Sequence, residues 1–357
     1  MKRRGFLTSS AALLSGLAVY KDDILENTLQ GRPLIIDGMG EIRIEYPMSL
    51  LSEIIDSGMT SVTVTIGNPG LHGPEAYDDA LKELSDYEGH INANRDYLLK
   101  ATEVADIDRA RNERKIALIY LFQNTTPLGD NLEKLRFFYN LGVRSIQLTY
   151  NSSNLVGSGC MERSDRGISN FGIGLIEKLN ETGILIDLSH AGMQTMKEAI
   201  QFSGKPVVIS HSGCKSLYEH PRTTSDENLR ALADKGGVIG IFQINPSIGP
   251  KQRNTLDDFI DHIDRAVRIT GIDHVGIGSD REHQTIPDTE EERKRLEEEM
   301  ARVGSKKIHW PFFISELNHP RRMETIMEAL DSRGYRSGDI EKIMGLNFYR
   351  VYKEVIG

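Results

Sequence analysis

Eight short apolar, mostly β-branched runs alternate with helical patterns between residues 33 and 280, and this alternation constrains the fold more than any other feature of the chain. The runs are 33–37, 61–66, 116–121, 143–148, 184–188, 207–209, 238–242 and 274–280. Short runs of this composition, bounded by turn residues, read as buried strands. Strands separated by helices imply a parallel sheet with right-handed crossovers. Eight such units predict closure into a (β/α)8 TIM barrel, a fold whose sites lie on the rim formed by the strand C-termini. An open doubly wound sheet is the competing fold. It calls for a glycine-rich phosphate turn after the first strand, and Gly38-Met39-Gly40-Glu41 does not fit GxGxxG.

The helical patterns lie over 49–56, 75–113 with a break near 88–94, 131–140, 172–181, 193–202, 226–235, 255–270, 289–302, 321–332 and 337–354. Ser225 is placed to cap the helix that follows it. The acidic-basic run 289–302 reads as a solvated helix. The loop 151–169, rich in Ser, Asn and Gly, is long enough to suggest a functional role.

Within 184–212 two successive strands each end on a histidine, His190 and His211. Barrel closure would gather the other strand-end polar residues around them: Asp37, Glu41, Asn68, Gln123, Tyr150, Gln243 and Asp280. Imidazoles and carboxylates converging on one rim suit a borderline metal, with zinc the default in the absence of a redox requirement. Such an ion lowers the pKa of bound water towards neutrality and polarises a carbonyl, which points to hydrolysis. Asp280 can both bind the ion and take the proton from the attacking water. His283 stands near enough in sequence to be a reserve ligand, and His220 reads as exposed.

With 39% hydrophobic residues and a net charge of -9, the 357-residue chain has the profile of a soluble globular protein with no nucleic-acid partner. Two cysteines, Cys160 and Cys214, are too few for a disulfide framework. The start, Lys2-Arg3-Arg4-Gly5-Phe6-Leu7 followed by a short small-apolar stretch, has the layout of a twin-arginine export signal. That stretch is too short for a stable membrane span. The expected organisation is therefore an export signal or disordered terminus over 1–22 and one barrel domain over 23–357. An exported, extracytoplasmic location is expected if the signal is real, and a cytoplasmic one otherwise.

Asp187-Leu188-Ser189-His190, the run Pro206 to Ser212, and Gly276-Ile277-Gly278-Ser279-Asp280 resemble the renal (membrane) dipeptidase family of the amidohydrolase superfamily. The segments Phe137 to Arg144 and Gly345 to Val351 do so as well, in the same order along the chain. The resemblance implies a metal-dependent barrel that hydrolyses dipeptides, often as a homodimer, with two zinc ions bridged by a glutamate. It matches His190 and His211 to the two histidines of one zinc, Asp280 to the last-strand aspartate on the other, and Arg222 to an arginine that holds the substrate carboxylate. Three positions depart from the pattern. The family has His-x-Asp where this chain has Met39-Gly40-Glu41, the bridging glutamate where it has Gln123, and a substrate-contacting histidine where it has Tyr150. A thioether is a poor zinc ligand beside oxygen and nitrogen donors. Gln123 keeps the shape of the bridge without the charge that offsets repulsion between two cations. The expectation is one zinc ion, with His190 and His211 as its core and Asp280 or Glu41 completing it. Arg222, Tyr150 and Gln123 are left as substrate contacts. A homologue that binds an amino-acid-derived ligand without peptidase activity is the alternative, and hydrolysis of a lactone or cyclic amide is a third.

Overall fold

Nine parallel strands form one sheet in the computed structural model, which describes residues 33–302 and 309–357. The stretch read as an export signal or disordered terminus, 1–22, lies outside the described residues. In chain order the strands are β1 (Ile35–Asp37), β2 (Met59–Thr65), β3 (Leu98–Lys100), β4 (Ile116–Phe122), β5 (Val143–Gln147), β6 (Leu185–Asp187), β7 (Val208–Ser212), β8 (Val238–Ile241) and β9 (Val275–Ile277). Pairing runs β1–β2–β4–β5–β6–β7–β8–β9 and returns from β9 to β1, so the predicted eight strands close the barrel.

The ninth strand, β3, is not expected from the sequence. It pairs with the start of β4, while β5 pairs with the end of β4. The charged stretch around it therefore makes two helices, Gly73–Ala93 and Val104–Glu113, with a strand between them. Three residues are too few for a period of two to emerge from a charged background. The predicted last helix is also divided, into Ser337–Glu341, a π-turn over Lys342–Leu346 and Asn347–Val355.

Packing explains why the site can occupy only one end of the barrel. The helix Asn347–Val355 presents Phe348, Val351, Tyr352 and Val355 to Leu34, Ile36, Ala117, Ile119, Leu185, Val208 and Val238 in one buried cluster. Its aromatic rings fill the N-terminal end of the barrel interior. A Cβ on Gly38 would sit 2.3 Å from the Phe348 ring and one on Gly276 2.6 Å from it, so the absent side chains make room for the ring. Tyr352 adds a hydroxyl contact to Thr63 at 2.9 Å. Phe348→Ala is expected to cost about 3–5 kcal/mol, because the ring is fully buried and part of its contact is with strand backbone at Gly38 and Gly276. Urea unfolding checks this: the midpoint falls with an unchanged slope.

Polar order then collects at the other end. Thr255 and Asp258 form a capping box on the helix Leu256–Thr270, and the Ser225 oxygen accepts from Asn228 N as predicted. The helix Glu290–Arg302 is largely exposed, as expected, and touches the rim at a few points. Leu296 is buried, Arg43 pairs with Glu299 at 2.7 Å, and Arg295 pairs with Glu282 at 3.0 Å.

Candidate active site

The ladder between β7 and β8 slips between Ile209 and Ser212, and this slip frees Ser210 and His211 from regular pairing. His211 is wholly buried, with Nδ1 2.7 Å from Ser210 Oγ and Nε2 lacking any hydrogen-bond partner. His190 stands one strand away at φ 62°, its Nδ1 2.7 Å from Asn151 Oδ1. The two imidazoles meet edge to face with centroids 5.1 Å apart, and the Tyr150 ring stacks on His190 at 4.1 Å. Burial, and after it the positive charge of Arg222, push both imidazoles well below the usual range, so both are neutral at pH 7.

Asp280 completes the group from the end of β9. It too is left-handed, at φ 55°, and the remaining positive-φ residue besides glycine among those described is Arg114 at a helix end. Left-handed backbone at two non-glycine residues on one rim is stored strain of the kind found at working sites. Asp280 Oδ1 lies 4.0 Å from His211 Nε2, and Oδ2 lies 3.7 Å from Arg222 Nη1. Burial raises the Asp280 carboxyl, and Arg222 opposes that rise. Arg222 also donates to the His211 carbonyl at 3.2 Å and lies over the Phe242 ring at 5.5 Å. Burial likewise raises the Tyr150 phenol far above its normal range and keeps it a donor.

The remaining predicted residues gather around Thr65. Gln123 Nε2 donates to Thr65 Oγ1 at 2.7 Å, the Met39 sulfur lies 3.8 Å from the same oxygen, and Glu41 hydrogen-bonds this hydroxyl. Burial raises the Glu41 carboxyl to about 8, with Arg43 opposing and Glu83 assisting. In the unfolded chain Glu41 titrates near 4.5, so folding favours its protonated form. That contribution is complete below about pH 4.5 and is lost as pH rises through about 8. Glu41→Gln cannot titrate, so thermal melts should show it gaining on the wild type across that window. Parallel pH profiles for the two proteins would contradict the shift.

Several strand-end residues serve the scaffold instead. Asp37 accepts from Ser279 N at 2.8 Å and sits 3.0 Å from His283 Nε2, so the His283 ring is engaged by Asp37. Asn68 Oδ1 caps its own turn by accepting from Gly70 N at 2.8 Å. Gln243 is fully buried, and neither of its amide atoms has a partner. His220 is half-buried and lines a cavity of about 220 Å³ with Cys160, Met193, Lys215, Glu219 and Thr223. That cavity adjoins the site, because Cys160 N donates to the His190 carbonyl at 2.7 Å. Both cysteines are free thiols.

Among the described residues no three His, Cys, Asp or Glu side chains form a ready metal cage. The set that fits an ion best is His190, His211 and Asp280. Its signature is the buried, unpartnered His211 Nε2, since an orphaned buried nitrogen is costly unless something binds it. Two imidazoles and a carboxylate are a zinc-type donor set. Met39 and the neutral Gln123 do not supply a second one. The supporting residues Asn151, Ser210 and Thr65 are not predicted as parts of the site. Asn151 and Ser210 adjoin residues that are singled out, and only that adjacency could have pointed to them.

The sequence profile of the membrane dipeptidase family, peptidase family M19, matches residues 42–309. An uncharacterised dipeptidase of Schizosaccharomyces pombe is 33% identical over 264 residues, covering 72% of this chain and 58% of the yeast protein. Dipeptidase verJ of Clonostachys rogersoniana is 38% identical over 243 residues, covering 68% of this chain and 56% of the fungal one. The chain thus spans less than two thirds of the length of these fungal relatives. An amidohydrolase of Pseudomonas aeruginosa superposes with a TM-score of 0.83 at 29% identity, covering 93% of this chain and 99% of that one.

Proposed function

Because the chain belongs to the membrane dipeptidase family, whose members are metallopeptidases, we propose that it hydrolyses a dipeptide or related small amide at the rim formed by His190, His211 and Asp280. The observation that carries this reading is the fully buried His211 Nε2, unpartnered and facing Asp280 at 4.0 Å. One zinc ion held by His190 and His211, with Asp280 completing the set, would supply a water of near-neutral pKa and polarise the scissile carbonyl.

The chain's own residues account for the remaining steps. Asp280, its carboxyl raised by burial and held beside Arg222, accepts the proton of the attacking water and returns it to the leaving amine. Arg222 is largely buried, and a substrate carboxylate is the natural partner for a guanidinium whose nearest anion is 3.7 Å away. Tyr150, kept protonated, donates to the developing oxyanion. Gln123 Nε2 is committed to Thr65, which leaves its carbonyl oxygen to accept from the substrate. The adjoining cavity offers room for a substrate side chain.

Metal analysis of protein purified without chelator, with a dipeptide-library assay supplemented with Zn²⁺ or Mn²⁺, tests the proposal. One equivalent of metal and measurable turnover are expected. Two tightly held equivalents would refute the single-ion site, and none would refute the metallopeptidase reading. His190→Ala should remove the bound ion and reduce turnover at least ~100-fold, as loss of one of three ligands implies. Turnover that survives this change would move the chemistry elsewhere. A second reading, a barrel that binds an amino-acid-derived ligand without cleaving it, is favoured by Met39 and Gln123 beside Thr65. Tight binding of dipeptides without turnover in the metal-supplemented protein would select it.

A further inference from the structure

Asp187, at the end of β6, is fully buried and accepts four hydrogen bonds. Ser189 N and Oγ donate to Oδ1 at 2.9 Å each, Ser210 N donates to Oδ1 at 3.0 Å, and Ser210 Oγ donates to Oδ2 at 2.5 Å. Two N–H and two O–H donors around it suit an ionised carboxylate, and the proton count follows from that charge state. A serine hydroxyl has one proton, and that of Ser210 is committed to the carboxylate, its shortest contact. Ser189 Oγ commits its own proton to the same carboxylate and accepts from His211 N at 3.0 Å. Ser210 Oγ therefore has only lone pairs to offer His211 Nδ1, 2.7 Å away. That arrangement calls for a proton on His211 Nδ1.

We infer that Asp187, acting through Ser210, is a positioning residue that fixes His211 as the Nδ1–H tautomer and so leaves the Nε2 lone pair facing the site. The buried and otherwise unpartnered state of Nε2 agrees with that assignment. The same construction recurs at β9. Asp37 accepts from Ser279 N at 2.8 Å and from Ser279 Oγ at 2.5 Å, and Ser279 immediately precedes Asp280 as Ser210 precedes His211. His190 is held independently, since Asn151 Oδ1 can only accept and so fixes the proton on that Nδ1 too.

The inference concerns the metal-free chain and stands apart from the proposed hydrolysis, although it explains how the proposed ligand is prepared. Protein labelled with [¹⁵N]histidine reports each tautomer from its two nitrogen shifts and their couplings to the ring protons. Wild-type His211 should be in the Nδ1–H form. In Ser210→Ala and Asp187→Asn it should become mixed or Nε2–H, with His190 unchanged, and Ser210→Thr should restore the wild-type pattern. Zn²⁺ titration of the same apo-proteins should show affinity reduced ~10–100-fold in Ser210→Ala and recovered in Ser210→Thr, the usual effect of removing the group that orients a ligand. An Nε2–H wild-type His211, or a tautomer unmoved in folded Ser210→Ala, overturns the inference. Should Asp187→Asn fail to fold, the two Ser210 variants still decide it. A fixed Nδ1–H tautomer in a wild type that takes up no zinc would uphold the relay and refute the metallopeptidase reading.

Discussion

Asp280→Asn should lower kcat for the best dipeptide substrate by ~10²–10⁴-fold, the range set by losing a general base, without raising KM. Asparagine is the appropriate replacement because position 280 has φ 55°, and Asn is among the few side chains that adopt the left-handed region cheaply. The variant should therefore keep its backbone and its melting temperature. It should also keep Arg222 near by, because that guanidinium is anchored independently on the His211 carbonyl at 3.2 Å. Removing the opposing charge 3.7 Å away leaves Arg222 more available to a substrate carboxylate, so KM should stay level or fall. Steady-state kinetics with metal analysis of the variant separates proton transfer from ligation. Low kcat with the ion retained assigns the proton to Asp280, and low kcat with the ion lost assigns ligation. A kcat within about threefold of wild type, far short of the general-base range, would remove Asp280 from the chemistry.

The barrel and the gathering of His190, His211, Asp280 and Tyr150 could be read from the chain because both follow from periodicity, whereas Arg222, in the loop after β7, is reached only through the family resemblance. Strands buried on both faces are written as continuous apolar runs, and in a closed parallel barrel every strand end arrives at one rim. What escaped had no period of its own. β3 is three residues inside a charged stretch, and the contacts of the largely exposed helix Glu290–Arg302 rest on one buried leucine and two ion pairs. His283 shows the limit most clearly. It lies three residues from Asp280 in sequence, but its ring is turned to Asp37. Sequence distance to a site residue says nothing about which side of a strand end a side chain takes. Asn151 and Ser210 were opaque for a related reason. Their role is to fix protons on two imidazoles, and a proton's position depends on three-dimensional donor counting that no linear spacing records.

Gln123→Glu combined with Met39→His should raise the metal content from the one equivalent proposed for the wild type to two. The wild-type half-site around Thr65 offers one carboxylate, Glu41, whose charged form is already so disfavoured by burial that it titrates at about 8. A thioether and a neutral amide add no charge to stabilise a dication there. Placing a carboxylate at position 123 supplies ~4 kcal/mol per unit of cation charge at about 4 Å and an effective dielectric near 20. Part of that gain is consumed in desolvating the new carboxylate, so a net gain of ~4 kcal/mol, or ~10³-fold in affinity for the second ion, is a reasonable scale. The imidazole at position 39 replaces a fully buried sulfur with a nitrogen donor. The two changes should act together, because each donor alone leaves the second ion short of ligands. Equilibrium dialysis against buffered zinc reads the stoichiometry, and differential scanning calorimetry reports whether the added charge is tolerated without metal. The apo-form of the Gln123→Glu variant should melt lower than wild type and recover once zinc is added, because an unpaired buried carboxylate costs stability until a cation neutralises it. If the double variant binds no more metal than the wild type, then Met39 and Gln123 are not what would restrict the site to a single ion.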